Sequence, residues 1–362
     1  MTHDAREPIV ETLLWLLSIP SFIEEEGPLC DAVAERVANS KLAGPVRRTL
    51  NSIVVPVTRG TGGPKIALCG HLDVVRTEHE GIPRIEGDRV FGPGAADMKS
   101  GLAIMLDLLE ENRVCFETNV DLTLVFYSRE EGPFAENELG PVLDADPELS
   151  SIDLAVCLEP SDNKLSLGAS GSLHAKVLFE GRTAHSARPW QGENAIHKAG
   201  AFLVDLGARP PQSVVLDGLT YRSVMSATLA SGGRGRNIIP DTFEVNLNAR
   251  FSPDKTVAQA KAEVLDLVRD RACVIFTDES PSAPPFADHP LVRALASSGV
   301  VAVEPKQAWT DVARFAAIGI PAVNFGPGDN AQAHQRNEST SLAGLLVGRQ
   351  IVSRWLSGLA PR

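Results

Sequence analysis

The sequence predicts an α/β domain with a mixed, mostly parallel sheet flanked by helices, interrupted by a smaller α+β domain. Two observations predict this fold. In the first and last parts of the chain, patterns of buried strands alternate with helical patterns, as in α/β folds. In the middle part, the strand patterns alternate apolar and polar residues, as in half-exposed antiparallel sheets. The length of 362 residues suits two domains.

The first part of the chain contains two helical patterns followed by strands. Apolar residues recur at helical spacing over residues 7–17 and 29–38. Apolar, β-branched runs typical of buried strands begin at Ser52, Lys65, Asp121 and Asp153. A further helix is predicted over 98–113, between the second and third of these runs. This order indicates a sheet with functional groups at its strand ends.

The pattern changes near residue 170. Residues 172–181 and 241–251 have the alternation of half-exposed strands, and residues 192–208 between them form a helical pattern. Residues 256–278 then predict a helix followed by a strand. The Pro-rich stretch 278–290 is typical of a linker.

After this linker the α/β pattern returns. Residues 290–299 predict a helix, 320–328 a strand with a turn, and the tail a helix from about residue 341. We therefore expect one domain made of residues 1–170 and 287–362. The second domain, residues 171–286, is inserted into it.

Composition and charge exclude several classes of protein. The net charge of −12 argues against a general binder of nucleic acid or anionic membranes. The N-terminus has no basic region of the kind that begins a signal peptide, and no apolar run is long enough for a bilayer. The five cysteines are widely spaced and lie mostly in apolar runs, as expected of reduced core thiols. We expect a cytoplasmic protein.

Acidic and imidazole side chains follow the apolar strands of the first domain. If these strands are parallel neighbours, the side chains converge at one edge of the sheet. The strand-end residues are His71, Asp73, Asp97, Glu130, Glu131, Glu159 and His334. From among them, two histidines and three carboxylates would form a nitrogen and oxygen ligand set for a divalent metal, with zinc favoured.

Each of these residues also has an ordinary structural interpretation. His71 and Asp73 could be a core pair, Asp97 a helix N-cap, and His334 a solvated loop residue. The "GPGAAD" segment also resembles a degenerate dinucleotide-binding motif. Asp97 argues against that interpretation, because it would place an anion where a pyrophosphate binds.

Five motifs, taken in order, resemble those of the dinuclear zinc deacylases and exopeptidases. They are "GHLDVV", "GPGAADMKSG", "REEG", "LEPSD" and "GPGDNAQAH". That family includes succinyl-diaminopimelate desuccinylase, acetylornithine deacetylase, aminoacylase and related carboxypeptidases. The resemblance covers nearly the whole chain. Further segments, such as "AHSARPWQGENAIHK" and "LDGLTYR", are most similar to desuccinylases of the actinobacterial type.

The resemblance implies a role for each of the strand-end residues. His71 and Glu159 would bind one zinc ion, and Glu131 and His334 the other. Asp97 would bridge the two ions, and cobalt or manganese could substitute for zinc. Asp73 would hold the far nitrogen of His71 and fix its tautomer. Glu130 would bind no metal and would act as the general base toward the attacking water.

The resemblance also implies that the inserted domain is a lid and dimerisation domain. Its His185 would reach the partner subunit's active site and stabilise the oxyanion. Asn237 and Arg250 would hold the substrate's carboxylate or the oxyanion region, and Thr310 would contact the substrate. Other interpretations are a loop histidine, a turn asparagine, a solvated strand arginine and a helix N-cap threonine. We expect a homodimer acting on a small molecule.

The implied activity is metal-dependent removal of an N-acyl group from an amino acid. The favoured substrate is N-succinyl-LL-2,6-diaminopimelate. Alternatives are acetylornithine, another N-acyl amino acid or a dipeptide, and more remotely a non-catalytic binding protein. One departure concerns the substrate: this chain has Gly92-Pro93-Gly94 where many desuccinylases have Gly-Cys-Gly or Gly-Arg-Gly.

Overall fold

The computed structural model describes residues 7–110 and 119–359. They form two compact units. The first unit contains the chain up to Gly168, Pro285–Glu304 and the chain from Thr310. The second unit contains Ala169–Pro284 and the short segment Pro305–Trp309, which the sequence assigned to the first domain.

The N-terminal part of the first unit begins with two helices and continues into strands. The helices are α1 (Pro8–Ser18), α2 (Gly27–Ala38), α3 (Lys99–Glu110) and α4 (Leu139–Ala145). The strands are β1 (Arg47–Thr49), β2 (Ser52–Pro56), β3 (Lys65–His71), β4 (Arg84–Glu86), β5 (Arg89–Phe91), β6 (Asp121–Tyr127), β7 (Leu154–Cys157) and β8 (Leu165–Leu167). The end of the helix predicted over 98–113 lies outside the described residues.

The second unit carries a five-stranded antiparallel sheet with two helices on one face. Its elements are β9 (Gly171–Glu180), β10 (Ala184–His185), α5 (Ala195–Ala208), β11 (Gln212–Leu216), β12 (Leu219–Gly232), β13 (Ile238–Ile239), β14 (Thr242–Phe251), α6 (Val257–Val268) and β15 (Cys273–Ser280). The strand order is β11-β12-β14-β9-β15. Alternate residues of β9 and β14, among them Val177, Phe179 and Leu247, pack with Phe202 of α5 and Val264 of α6 into one core. The opposite face of the sheet is polar.

The C-terminal part returns to the first unit. It consists of α7 (Pro290–Ala296), β16 (Val303–Pro305), α8 (Val312–Ala317), β17 (Ala322–Phe325), β18 (Ser339–Ser341) and α9 (Leu342–Ser357). The described strands form a main sheet of order β1-β2-β6-β3-β7-β17-β8-β16. Its centre is parallel, because β3 pairs in parallel with β6 and β7, and β7 with β17. The mixed, mostly parallel sheet predicted from the sequence is confirmed.

The N-terminal helix α1 is fastened to the start of α3 by a buried lysine. The ammonium group of Lys99 donates hydrogen bonds to the carbonyl oxygens of Leu16 at 3.0 Å and Ile19 at 2.9 Å. These carbonyls belong to the end of α1, where a cation is favoured by the helix dipole. Burial lowers the pKa of Lys99 to about 7.

The described cysteines are not disulfide-bonded. Cys30, Cys69 and Cys157 are buried, as expected of core thiols, whereas Cys273 is exposed. Cys115 lies outside the described residues. Within residues 7–110 and 119–359, none of the helices has both the length and the apolar character needed to cross a membrane.

Candidate active site

The site is built where the parallel strands of the main sheet end. His71 is the last residue of β3 and pairs in register with Tyr127, the last residue of β6. Glu130 and Glu131 stand three and four positions after the end of β6, and Glu159 stands two positions after the end of β7. Because parallel strands end at the same edge of a sheet, their following side chains meet there.

One group of donor atoms comes from His71, Asp97 and Glu159. Their ligand atoms all lie within 4.8 Å of one another. His71 Nε2 is 3.3 Å from Asp97 Oδ1 and 4.0 Å from Glu159 Oε1. An imidazole nitrogen and two carboxylates are donors that suit zinc and similar divalent ions.

A second group comes from Asp97, Glu131 and His334, again within 4.8 Å of one another. His334 Nε2 is 2.8 Å from Glu131 Oε1 and 3.5 Å from Asp97 Oδ2. Asp97 therefore offers one carboxylate oxygen to each group, Oδ1 toward His71 and Oδ2 toward His334. A carboxylate in this position can bridge two metal ions.

Glu130 lies next to both groups and is half-buried. Burial, and then the nearby Glu159 carboxylate, raise its pKa well above the usual range of a glutamate. Burial and the Asp97 carboxylate also raise the pKa of Glu131. A third donor group combines His71, Glu130 and Glu131, so Glu130 lies beside the first group.

Asp73 lies two residues beyond the end of β3, and its contacts differ from the expected ones. Its carboxylate accepts the main-chain N–H groups of Glu130 at 3.1 Å and Glu131 at 2.9 Å. His71 Nδ1 lies 2.9 Å from the main-chain carbonyl oxygen of Asp73, whereas the nearer carboxylate oxygen is 3.6 Å away. The tautomer of His71 is therefore fixed by the Asp73 carbonyl, since Nδ1–H donates to it.

The charges of the cluster fit bound cations. Hydrogen bonds to Asp97 and Glu131 raise the pKa of His334 to about 10. Burial opposes the ionised form of Asp97, but hydrogen bonds from His334 and His71 lower its pKa. Four carboxylates share this small volume with two imidazoles: Asp97, Glu130, Glu131 and Glu159. Divalent cations would take the place of the histidine protons and offset the buried negative charge.

Three of the residues expected to bind substrate lie in the second unit. His185 is exposed, and its Nδ1 accepts the main-chain N–H of Ala187 at 3.1 Å, so Nε2 carries the proton and can donate. Asn237 lies on the segment paired with it, and its carbonyl accepts from Ser186 at 2.9 Å. Arg250 is half-buried on the polar face of the sheet, where Nε donates to Asn248 Oδ1 at 3.1 Å.

Thr310 lies in the first unit and has a different environment from the expected one. It is buried, and its hydroxyl donates to Asn324 Oδ1 at 2.8 Å. This differs from the expected substrate contact, because a buried hydroxyl that is already bonded to Asn324 offers little surface to a substrate.

The neighbouring Asp311 is a residue that the sequence did not single out. It is fully buried, accepts from Asn137 Nδ2 at 2.7 Å and pairs with Arg314 at 2.8 Å. Its charge also raises the pKa of Glu130, although by less than burial, Glu159 and Glu131 do. Nothing in the local pattern "WTDVARF" distinguishes it from an ordinary helix N-cap.

Several known proteins are similar to this chain over nearly its whole length. A Mycobacterium tuberculosis protein named DapE is 38% identical over 98% of this chain and 99% of its own. The succinyl-diaminopimelate desuccinylase of Corynebacterium glutamicum is 34% identical over 97% of this chain and 96% of its own. An M20 family metallo-carboxypeptidase from Sulfolobus solfataricus has a TM-score of 0.80 at 17% identity, covering 97% of this chain and 99% of its own, which shows a shared fold.

The family model described as peptidase family M20/M25/M40 matches residues 67–357. This match covers most of the chain and includes every strand-end residue of the candidate site. The resemblance stated from the sequence motifs is confirmed. The chain therefore belongs to peptidase family M20/M25/M40.

Proposed function

We propose that this protein is a two-metal amide hydrolase that converts N-succinyl-LL-2,6-diaminopimelate and water into succinate and LL-2,6-diaminopimelate. The observation that carries the proposal is the position of Asp97, with one carboxylate oxygen facing each of two donor groups. A half-buried carboxylate, Glu130, stands beside them and would act as the base. A binding protein on this fold would have no need for a further glutamate beside two donor groups.

In this proposal, the two donor groups would hold zinc ions. His71 and Glu159 would hold one ion and Glu131 and His334 the other, with Asp97 common to both groups. Bound zinc supplies Lewis acidity, which makes water a nucleophile near neutral pH and polarises the amide carbonyl. The donors suit this role because each group combines one imidazole nitrogen with carboxylate oxygens.

Glu130 moves the proton. It accepts a proton from the attacking water and then donates it to the leaving amine, as general base and general acid in turn. In the metal-free protein its pKa is raised, by burial and then by Glu159. Asp73 keeps Glu130 and Glu131 in place through their main-chain N–H groups.

The substrate is proposed from the named relatives and from the charges of the second unit. The Corynebacterium glutamicum relative is named succinyl-diaminopimelate desuccinylase and aligns over nearly the whole chain. A succinylated diamino diacid carries several carboxylates, and Arg250 is a guanidinium donor that suits one of them. Asn237 and His185 are the amide and imidazole donors of the same unit.

The second unit is also proposed to join two subunits into a homodimer. Its helix α5 exposes apolar side chains, with Val204 71% and Ile196 41% exposed, and β11 forms an edge of its sheet. Exposed apolar residues next to a sheet edge favour pairing with an identical copy.

The unbonded cysteines among the described residues suit a reducing, cytoplasmic location.

Metal analysis and a substrate panel test this proposal. We expect two zinc ions per subunit, and hydrolysis of N-succinyl-LL-2,6-diaminopimelate faster than that of N-acetylornithine, N-acetylmethionine or a dipeptide. Glu131→Gln and His334→Asn should each lose one metal. Glu136→Gln, in the short 3₁₀ helix that follows and half exposed, is the matched control and should keep both. Absence of bound metal in active wild-type protein would refute the mechanism, and preference for another substrate would refute the assignment.

A further inference from the structure

The loop that carries Asp97 is held by a single buried carboxylate from a distant part of the chain. Glu338 Oε1 accepts the main-chain N–H groups of Ala96 at 2.7 Å and Asp97 at 2.8 Å. Its Oε2 accepts the N–H of Gly94 at 3.0 Å. The side chain is only 4% exposed, so these bonds are shielded from water.

Glu338 belongs to the same chain segment as His334. The segment meets Asp97 twice, because His334 faces its side chain at 3.5 Å while Glu338 binds its main chain. The main-chain carbonyl of Glu338 also accepts from Gly92 at 3.1 Å, at the start of the loop. Both oxygens of the Glu338 carboxylate face N–H groups, so they are directed at the loop and not at either metal position.

We propose that Glu338 is a positioning residue, whose carboxylate fixes the Gly94–Asp97 loop so that Asp97 presents one oxygen to each metal position. This inference rests on the proposed two-metal function. Three N–H donors on one carboxylate allow little rotation of the Asp97 peptide. A bridging ligand needs this restraint, because a small rotation would move one oxygen away from its ion.

Glutamine is the informative substitution at this position. In Glu338→Gln the amide oxygen can still accept from Ala96 and Asp97, but the amide N–H₂ group then faces the N–H of Gly94. One acceptor is thereby replaced by a donor, and the loop must shift. Glu338→Asp keeps the charge but moves the carboxylate back by one methylene, so it tests position independently of charge.

Glu138 provides a matched control in the same unit. It is 3% exposed, and its carboxylate accepts the N–H of Asn51 at 2.9 Å and the hydroxyl of Ser52 at 2.7 Å. Glu138→Gln therefore removes a buried carboxylate that binds main chain, with no contact to Asp97. Both glutamine variants should lower the melting temperature of the metal-free protein.

The deciding measurement is the affinity of metal-free protein for Co²⁺. Binding is monitored by visible absorption and by the gain in melting temperature. All variants are titrated at the same pH, 8. We expect affinity for at least one ion to fall about 10–100-fold in Glu338→Gln, as for other residues that orient a ligand. Glu138→Gln should bind Co²⁺ like wild type. If Glu338→Gln does not fold, Glu338→Asp provides the same test.

Two outcomes would overturn the inference. In the first, the Glu338 variants bind Co²⁺ with the same affinity and the same spectra as wild type. The other is an equal loss of affinity in Glu138→Gln, which would show a general effect of stability. In both cases the wild-type protein still binds two ions and hydrolyses its substrate, so the proposed function stands. A wild-type protein that binds no Co²⁺ would instead refute the proposed function.

Discussion

The Asp73 carboxylate accepts the main-chain N–H group of Glu131 at 2.9 Å. Its other oxygen accepts that of Glu130 at 3.1 Å. One side chain thus orients both a proposed metal ligand and the proposed base, while the carbonyl of the same residue contacts His71. Asp73 acts through the main chain of its neighbours, and its replacement should disturb metal binding and proton transfer together.

Asp73→Asn tests this coupling. The new amide N–H₂ would face one of the two N–H groups, so the turn with Glu130 and Glu131 should move. We expect metal affinity and kcat each to fall about 10–100-fold. Asp121→Asn is the control, because Asp121 also accepts a main-chain N–H, from Thr61 at 2.9 Å, but outside the cluster. A change in only one of the two quantities would contradict the shared role.

Glu130→Gln should separate catalysis from metal binding. The variant keeps the size of the side chain but cannot accept a proton, so kcat should fall about 10²–10⁴-fold while both metal ions remain bound. Metal content and kcat measured on the same preparation check this. Loss of a full metal equivalent with activity retained would reverse the roles of Glu130 and Glu131.

The stability of the metal-free protein should depend on His334 and on pH. Ion pairs to Asp97 and Glu131 raise the pKa of His334 from 6.5 to about 10 in the folded state. This contribution is fully present below pH 6.5 and is lost as the pH rises through about 10. The difference in free energy of unfolding between wild type and His334→Asn should therefore shrink over that range in urea titrations. A difference that grows with pH would contradict the ion pairs.

Arg250→Lys should raise KM for the natural substrate. Lysine keeps the positive charge but loses the planar fork that binds a carboxylate through two hydrogen bonds, and it loses the bond from Nε to Asn248. Arg222→Lys, at an exposed position of β12, is the control and should leave KM unchanged. Equal KM values for wild type and Arg250→Lys would remove Arg250 from the substrate site.

Mixing two inactive variants tests whether sites are completed across a homodimer. His185→Ala should keep both metals but lose about 10²–10³-fold in kcat, the typical cost of a missing oxyanion donor. After subunit exchange with Glu130→Gln, some heterodimers would carry one intact site, and activity should return. Demonstrated exchange without recovered activity would argue against a site shared between subunits.

Much of the fold could be predicted because its signals are local. The helices α1, α3 and α9 and the strands β3, β6, β9 and β14 follow the periodicity of their own residues, within a few positions. The expectation that residues following parallel strands meet at one edge of the sheet also placed Glu131 and Glu159 near His71, as observed. Strand β12 was not predicted, since its exposed residues 226–232 lack a regular apolar alternation.

The supporting contacts of the site could not be predicted in the same way. Glu338 is 241 positions from Asp97 in the chain and contacts its main chain, so no side-chain motif marks the pair. Strand alternation predicted that Asp73 and His71 share one face, but β3 ends at His71 and the alternation does not continue. Thr310 and Asp311 are buried by packing between segments, which periodicity within one segment does not indicate.

The bond between Lys99 and the end of α1 determines where this enzyme can be shortened. The family model begins at residue 67 and so omits α1, α2, β1 and β2. A chain trimmed to that boundary would lose the Leu16 and Ile19 carbonyls that bind the Lys99 ammonium. Lys99 lies two residues after the proposed bridging ligand Asp97, so this loss would reach the site. The N-terminal helix contributes no catalytic group, yet the minimal catalytic unit must begin before it.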